Sequence, residues 1–144
     1  MIETIFETPR VLVREWSLQD ADSCFLLAAN PLVMKYISEP IKDLTQALEA
    51  IKRRHRDYAT RGYGRYAVVE KLSGKVIGLT GPRYDSEIDC VDLAIWLLPD
   101  YWGKGLGTEI LTECLNLCFD RLALKRVVGI VDPLNYIQNP KSIA

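Results

Sequence analysis

Apolar and polar positions alternate over Val11–Arg14 and predict a first strand. Ser17 and Asp20 then offer a cap for a helix that runs through Ala29 and is ended by Asn30-Pro31. A short helix over Leu32–Ile37 closes near Pro40. Asp43 caps a helix over Leu44–Tyr58, where Leu44, Leu48, Ile51 and Tyr58 share an apolar face, and which ends by Gly62. Tyr66–Glu70 reads as a strand, Ser73-Gly74 as a turn, and Val76–Thr80 as the returning strand. Val91–Leu98 is the longest apolar strand. Gly105–Leu122 follows as a helix with Ile110, Leu111, Cys114, Leu115 and Cys118 on one side. Val127–Val131, rich in β-branched residues, is a last strand before Asp132-Pro133. The order β-α-α-α-β-β-β-α-β predicts one α+β domain over residues 1–144, its sheet mostly antiparallel and entered by one parallel strand.

Composition narrows the function classes. The chain has 144 residues, 49% of them hydrophobic, enough for a real core, and a net charge of −1. No long basic run is present, so nucleic acid is excluded as the main ligand. No apolar run is long enough to span a bilayer, and Met1–Pro9 lacks a signal-peptide pattern, so the chain reads as cytoplasmic and free of the membrane. Cys24, Cys90, Cys114 and Cys118 sit among apolar neighbours without a nearby His, which predicts reduced thiols and no metal. His55 lies within KRRHRD and reads as part of a solvated helix face. Trp16, Trp96 and Trp102 read as core or pocket wall.

The chemistry is concentrated in LAIWLLPDYWGKGLGT, Leu93–Thr108. An apolar strand runs into a turn carrying Gly103, Gly105 and Gly107, and the turn opens an amphipathic helix. Free N–H groups and a partial positive charge at a helix start suit a phosphate or pyrophosphate. A Walker loop needs Lys-Ser or Lys-Thr after its last glycine, whereas Thr108-Glu109 follows Gly107. The dinucleotide fingerprint G-x-G-x-x-G opens a βαβ unit, whereas this G-x-G-x-G lies deep in the second half. PDYWGKGLGTE, Pro99–Glu109, resembles the acetyl-CoA-binding motif of the GNAT superfamily of N-acetyltransferases, in the branch of the ribosomal-protein N-terminal acetyltransferases. Glu7–Ile37 resembles that family's opening strand and first helices, and Gly64–Gly81 its second and third strands. Arg126–Asn135 resembles its fifth strand and asparagine turn.

The resemblance implies a GNAT-like fold, an acetyl-CoA donor and direct transfer to a primary amine, either a protein N-terminus or a small molecule. Backbone amides from Gly103 through Lys104, Gly105, Leu106 and Gly107 to Thr108 would hold the pyrophosphate, with Lys104 adding charge or merely solvated. Trp102 stands where the wider family often has Gln or Arg. A splayed or bulged strand would aim N–H groups around Ile95, Trp96, Leu97 and Leu98 at the thioester oxygen, although an ordinary buried strand has the same letters. Asp92 falls where relatives often carry a glutamate, making it the candidate base, its shorter reach favouring a water relay. Asp85, Glu87 and Asp89 read as a solvated loop or as an attraction for a cationic amine. Asn135 would hydrogen-bond the pantetheine arm. Tyr136 would protonate the leaving thiolate or be a packing tyrosine.

Family members continue past the asparagine turn with a helix and usually two strands, so the resemblance describes a C-terminally shortened version. Val127–Val131 would then have an unpaired edge, which a second copy of the chain could cover. A coenzyme A-binding but catalytically silent domain, or a truncated inactive homologue, is the alternative function.

Overall fold

A computed structural model describes residues 2–132 and 135–136, with side chains described as far as residue 129. The chain opens with β1 (Thr4–Glu7) and β2 (Val11–Arg14). A tight turn joins them: the Thr8 N–H donates to the Val11 carbonyl at 2.9 Å, and the Val11 N–H to Thr8 Oγ1 at 3.2 Å. The pattern predicts no strand before Val11. β1 has only four residues and one buried side chain, Ile5, so pairing with β2 rather than periodicity creates it.

Local capping chemistry sets the helices. Ser17 accepts from the Gln19 N–H while Asp20 accepts from the Ser17 N–H, a reciprocal box that starts a single 3-10 turn, Leu18–Asp20. It leads directly into α1 (Ala21–Ala28). Asn30 Oδ1 accepts from the Leu32 N–H at 2.9 Å and starts α2 (Pro31–Met34), earlier and shorter than the expected Leu32–Ile37. Asp43 caps α3 (Leu44–Arg61), and Gly62 ends it at φ 81°, the left-handed conformation glycine tolerates. The buried stripe of α3 is Ala47, Ala50 and Ile51. Leu44 stands 47% exposed, which corrects its assignment to the apolar face. Ala47, Ala50 and Ile51 pack α3 chiefly on α1, against Cys24 and Leu27.

β3 (Tyr66–Glu70), β4 (Val76–Asp85) and β5 (Cys90–Leu97) form a meander. A 3-10 turn, Pro99–Tyr101, leads to α4 (Leu106–Asn116), whose last residues widen into an i→i+5 turn over Leu117–Arg121. β6 (Val127–Asp132) and β7 (Asn135–Tyr136) complete the sheet. The strands lie in chain order, β1 to β7, all neighbours antiparallel except β5 and β6. That parallel step needs a crossover, and α4 supplies it.

Strand β4 runs five residues beyond the expected Thr80. Gly81 sits at φ 129°, where an added Cβ would lie 2.4 Å from the Gly64 carbonyl oxygen. Pro82 pairs with Leu93, past the last β3 partner at Thr80. Its missing N–H therefore faces an edge that β3 has already left.

Side-chain alternation splits the core into two layers. Val13, Val68, Ile77 and Leu97 pack with Leu106, Ile110 and Leu117 on the α4 side. Ala67 and Leu79 pack with Trp16, Cys24, Leu27 and Ile51 on the side of α1 to α3. Cys24, Cys114 and Cys118 are buried as free thiols and Cys90 is half-buried. Among the described residues no helix is long and apolar enough to cross a membrane.

Candidate functional site

The site is built where β5 loses a neighbour. β6 pairs with β5 only at Val91, Asp92 and Leu93, whereas β4 follows β5 continuously from Cys90 to Leu97. The register with β4 has no irregularity, so β5 is splayed from β6 and not bulged. The Leu98 N–H donates to the Ile77 carbonyl at 3.0 Å, on the β4 side. Alternation along the strand then directs the N–H groups of Ile95 and Leu97 to the opposite, open edge. Trp102 closes the end of that edge, its indole Nε1–H donating to the Leu97 carbonyl at 2.7 Å. The side chains of Ile95 and Leu97 face the α4 layer, and those of Trp96 and Leu98 face the opposite layer.

A few residues on, the glycine turn opens α4. Gly103 (φ 72°) and Gly105 (φ 76°) are left-handed, which explains glycine there. Gly107 has no such backbone reason. An added Cβ at Gly107 would find only Leu97 Cδ1 at 3.9 Å, and at Gly103 nothing within 4 Å. The space above the turn is therefore not filled by the protein itself. Gly105 is the N-cap and no side chain caps the helix, so the first-turn N–H groups of Leu106, Gly107 and Thr108 face that space. The first intrahelical bond is that from the Glu109 N–H to the Gly105 carbonyl, at 3.1 Å. Bare amides at the positive end of a helix, beside a surface without side chains, fit the pyrophosphate of acetyl-CoA.

Three side chains that sequence reasoning missed, Thr8, Arg10 and Glu109, brace this turn. Glu109 accepts from Thr8 Oγ1 at 2.6 Å and from Arg10 Nε at 2.9 Å, and Arg10 Nη1 donates to the Lys104 carbonyl at 3.1 Å. These bonds hold the Glu109 carboxyl below the usual carboxylate range, the Thr8 hydroxyl contributing most. Arg10 Nη2 stands 4.0 Å from where a Cβ on Gly105 would be, so a guanidinium flanks the cradle. A cleft of 530 Å³ continues from here, its wall including Arg10, Lys71, Tyr101, Lys104 and Leu106. The exposed Lys104 thus joins Arg10 and Lys71 on a wall that also carries the Glu70 carboxylate. The only sequence signal for the brace was the polar Thr8-x-Arg10 turn before β2.

Asp92 lies on β5 beside the other end of the gap. One carboxylate oxygen accepts from Arg65 Nη2, and the other from Arg83 Nη2 at 3.1 Å. Arg65 also donates to the Gly81 carbonyl at 2.5 Å and to the Asp92 carbonyl at 3.0 Å, which fixes it between β4 and β5. Each Asp92 oxygen retains a lone pair for a water. Asp89 accepts from the Tyr84 hydroxyl at 2.5 Å, and Asp85 from the Glu87 N–H at 2.9 Å, which makes that loop self-contained. Asn135 and Tyr136 form β7, paired with Asp132 and Ile130, and their side chains lie outside the described residues. His55 is half-buried and not solvated as expected: its Nε2 lies 2.5 Å from the Trp16 carbonyl, which pins α3 to the segment after β2. No cluster of potential metal ligands occurs among the described residues.

Comparison with known proteins agrees with this geometry. The family profile described as "Acetyltransferase (GNAT) domain" matches residues 10–138. The chain is 30% identical over 137 residues to the uncharacterized N-acetyltransferase p20 of Bacillus licheniformis, covering 93% of this chain and 76% of that one. An acetyltransferase structure from Agrobacterium tumefaciens superposes with a TM-score of 0.78 at 21% identity, over 94% of this chain and 77% of that one. A spermidine N-acetyltransferase from Vibrio cholerae, solved with CoA and spermine, superposes with a TM-score of 0.70 at 19% identity, over 85% and 71%. The chain belongs to the GNAT family of acetyltransferases. By that membership it is an acyltransferase.

Proposed function

We propose that this protein is an acetyl-CoA-dependent N-acetyltransferase that passes the acetyl group directly to a primary amine, with residues 1–144 acting as one catalytic domain in the cytoplasm. The carrying observation is that β5 leaves β6 after Leu93 and then runs into the bare, uncapped glycine start of α4. Acetyl-CoA supplies an activated thioester: the deprotonated amine forms the C–N bond as the C–S bond breaks, and the leaving thiolate takes up a proton. The amides from Gly103 to Thr108 hold the pyrophosphate, with Arg10 and Lys104 beside it. The Ile95 and Leu97 N–H groups on the open edge stabilise the charge that develops on the thioester oxygen. Trp96, Leu98 and Trp102 shape the walls.

Asp92 receives the amine's proton through a water on its free lone pairs, while Arg65 and Arg83 keep the carboxylate in place. Asn135 and Tyr136 keep the roles the family resemblance implies: holding the pantetheine arm and returning a proton to the thiolate. The amine must already lie in line with the thioester, since no covalent enzyme intermediate is involved. A second copy of the chain would sit against the outer edge of Val127–Gly129, which has no partner on that side among the described residues.

A silent coenzyme A-binding domain is the second reading, favoured by the engagement of both Asp92 oxygens by arginines. Incubation with acetyl-CoA and a panel of amines, read by mass spectrometry, separates the two. Acetylated product supports transfer. Saturable acetyl-CoA binding without product from any amine supports the silent domain.

A further inference from the structure

The second large cavity of the molecule carries a charge pattern that the transfer reaction does not require. It measures 640 Å³, within the range of small-molecule sites, and touches β5 from Asp92 to Trp96 on the face away from α4. An acceptor in it would therefore reach the gap of β5 from the side opposite the glycine cradle. Five arginines line the cavity, against the two carboxylates of Asp57 and Asp92.

The arginines divide by what they already hold. Arg65 is committed to Asp92 and two carbonyls. Arg54 lies over the Trp16 ring, 5.0 Å from its centroid, with a contact to Cys24 Sγ at 3.6 Å. Arg83 shares Asp92 with Arg65 and reaches Asp85 only at 3.9 Å, leaving part of its guanidinium fork free. Arg53 and Arg56 have no carboxylate within ion-pair distance among the described residues. They stand three apart on α3, on neighbouring positions of one exposed face, so an anion placed between them would meet both guanidinium groups.

We propose that this cavity receives the acceptor, and that the acceptor is a small amine carrying a carboxylate or a phosphate, which Arg53, Arg56 and Arg83 hold while its amino group faces β5. The proposal rests on the acetyl-transfer reading above and adds the substrate class. Guanidinium forks match carboxylate and phosphate geometry. A polyamine such as the spermine present in the Vibrio cholerae structure would meet a surplus of like charge in this cavity.

The test is a titration of the full chain, without acetyl-CoA, with four probes: phosphoethanolamine, β-alanine, ethanolamine and spermidine. Either anionic amine should bind saturably and lose affinity with added salt, and ethanolamine should bind at least roughly tenfold more weakly. Preference for phosphoethanolamine assigns a phosphate, and preference for β-alanine a carboxylate. The double variant Arg53→Ala, Arg56→Ala removes only exposed side chains. It should melt as the wild type, bind acetyl-CoA unchanged and raise the KM of the preferred acceptor roughly tenfold or more. Binding of ethanolamine or spermidine as tight as that of the anionic probes overturns the proposal. Acetyl-CoA binding with no binding of either anionic amine overturns it too, and leaves the transferase reading standing. Anionic amines bound with no acetyl-CoA binding would support the cavity and overturn that reading instead.

Discussion

Arg10 Nε donates to Glu109 Oε1 at 2.9 Å, joining residues 99 apart in the chain. The pair clamps the β1–β2 turn onto the first turn of α4, and Arg10 also binds the Lys104 carbonyl inside the glycine loop. The loop's shape is thus held from outside, by a turn whose Arg10 also flanks the cradle. Glu109→Ala should weaken acetyl-CoA binding roughly tenfold, the worth of one charge-assisted hydrogen bond, with little change in melting temperature. A calorimetric titration of the variant checks it, and unchanged affinity would show that the loop holds itself.

The same carboxylate sets a pH dependence. Because Thr8 and then Arg10 hold its folded-state value below that of the unfolded chain, the brace is complete above the unfolded carboxylate value and is lost as pH falls through the lower folded one. Acetyl-CoA affinity should therefore show no loss from this group between neutral pH and the ordinary carboxylate range, and weaken only below it. Titrations at stepped pH on wild type and Glu109→Gln read this directly, since the variant should lack the acid-side transition.

Gly107 separates a structural glycine from a functional one. Its backbone needs no glycine, and an added methyl would meet only open space and Leu97 Cδ1 at 3.9 Å. Gly107→Ala should melt at or slightly above the wild-type temperature, since alanine is favoured over glycine in a helix by about 0.5–1 kcal/mol. It should nevertheless bind acetyl-CoA more weakly, because the methyl enters the cradle. A variant both stable and fully competent to bind would place the ligand elsewhere.

Asp92 tests catalysis and architecture together. Its carboxylate and Arg65 are both largely buried, with side-chain exposures of 15% and 11%. Asp92→Ala should cost about 3 kcal/mol, the lower end for removing one partner of a buried pair. Asp92→Asn keeps an acceptor for one guanidinium and should fold better. It should leave acetyl-CoA binding intact and slow transfer most at low pH, where free amine is scarce. Denaturant unfolding and pH–rate profiles measure the two effects separately, and an unaffected rate would acquit Asp92.

What could be read from the letters was local. The caps at Ser17 and Asp43, the stop at Gly62 and the strand Tyr66–Glu70 depend on neighbours within a few residues, and each lies where the pattern puts it. The glycine loop was legible for the same reason. β1 was not, because a four-residue strand exists only through its partner. The far half of β4 was hidden by Gly81-Pro82, which reads as a breaker until the departure of β3 frees the proline's edge. Leu44 misled because an apolar letter at helical spacing says nothing of whether a neighbouring element lies beneath it. The clamp of Arg10 on Glu109 and the capture of Asp92 by Arg65 and Arg83 are non-local ion pairs, and no motif announces them.

The donor site is tested most directly by one titration: acetyl-CoA into the purified wild-type chain, followed by calorimetry, with Gly105→Asp as the paired control. One-site saturable binding by the wild type and none by the variant is predicted, since a carboxylate at Gly105 would enter the phosphate cradle. No binding by a cooperatively folded wild type, or equal binding by both proteins, would contradict the assignment of the glycine turn as the donor site.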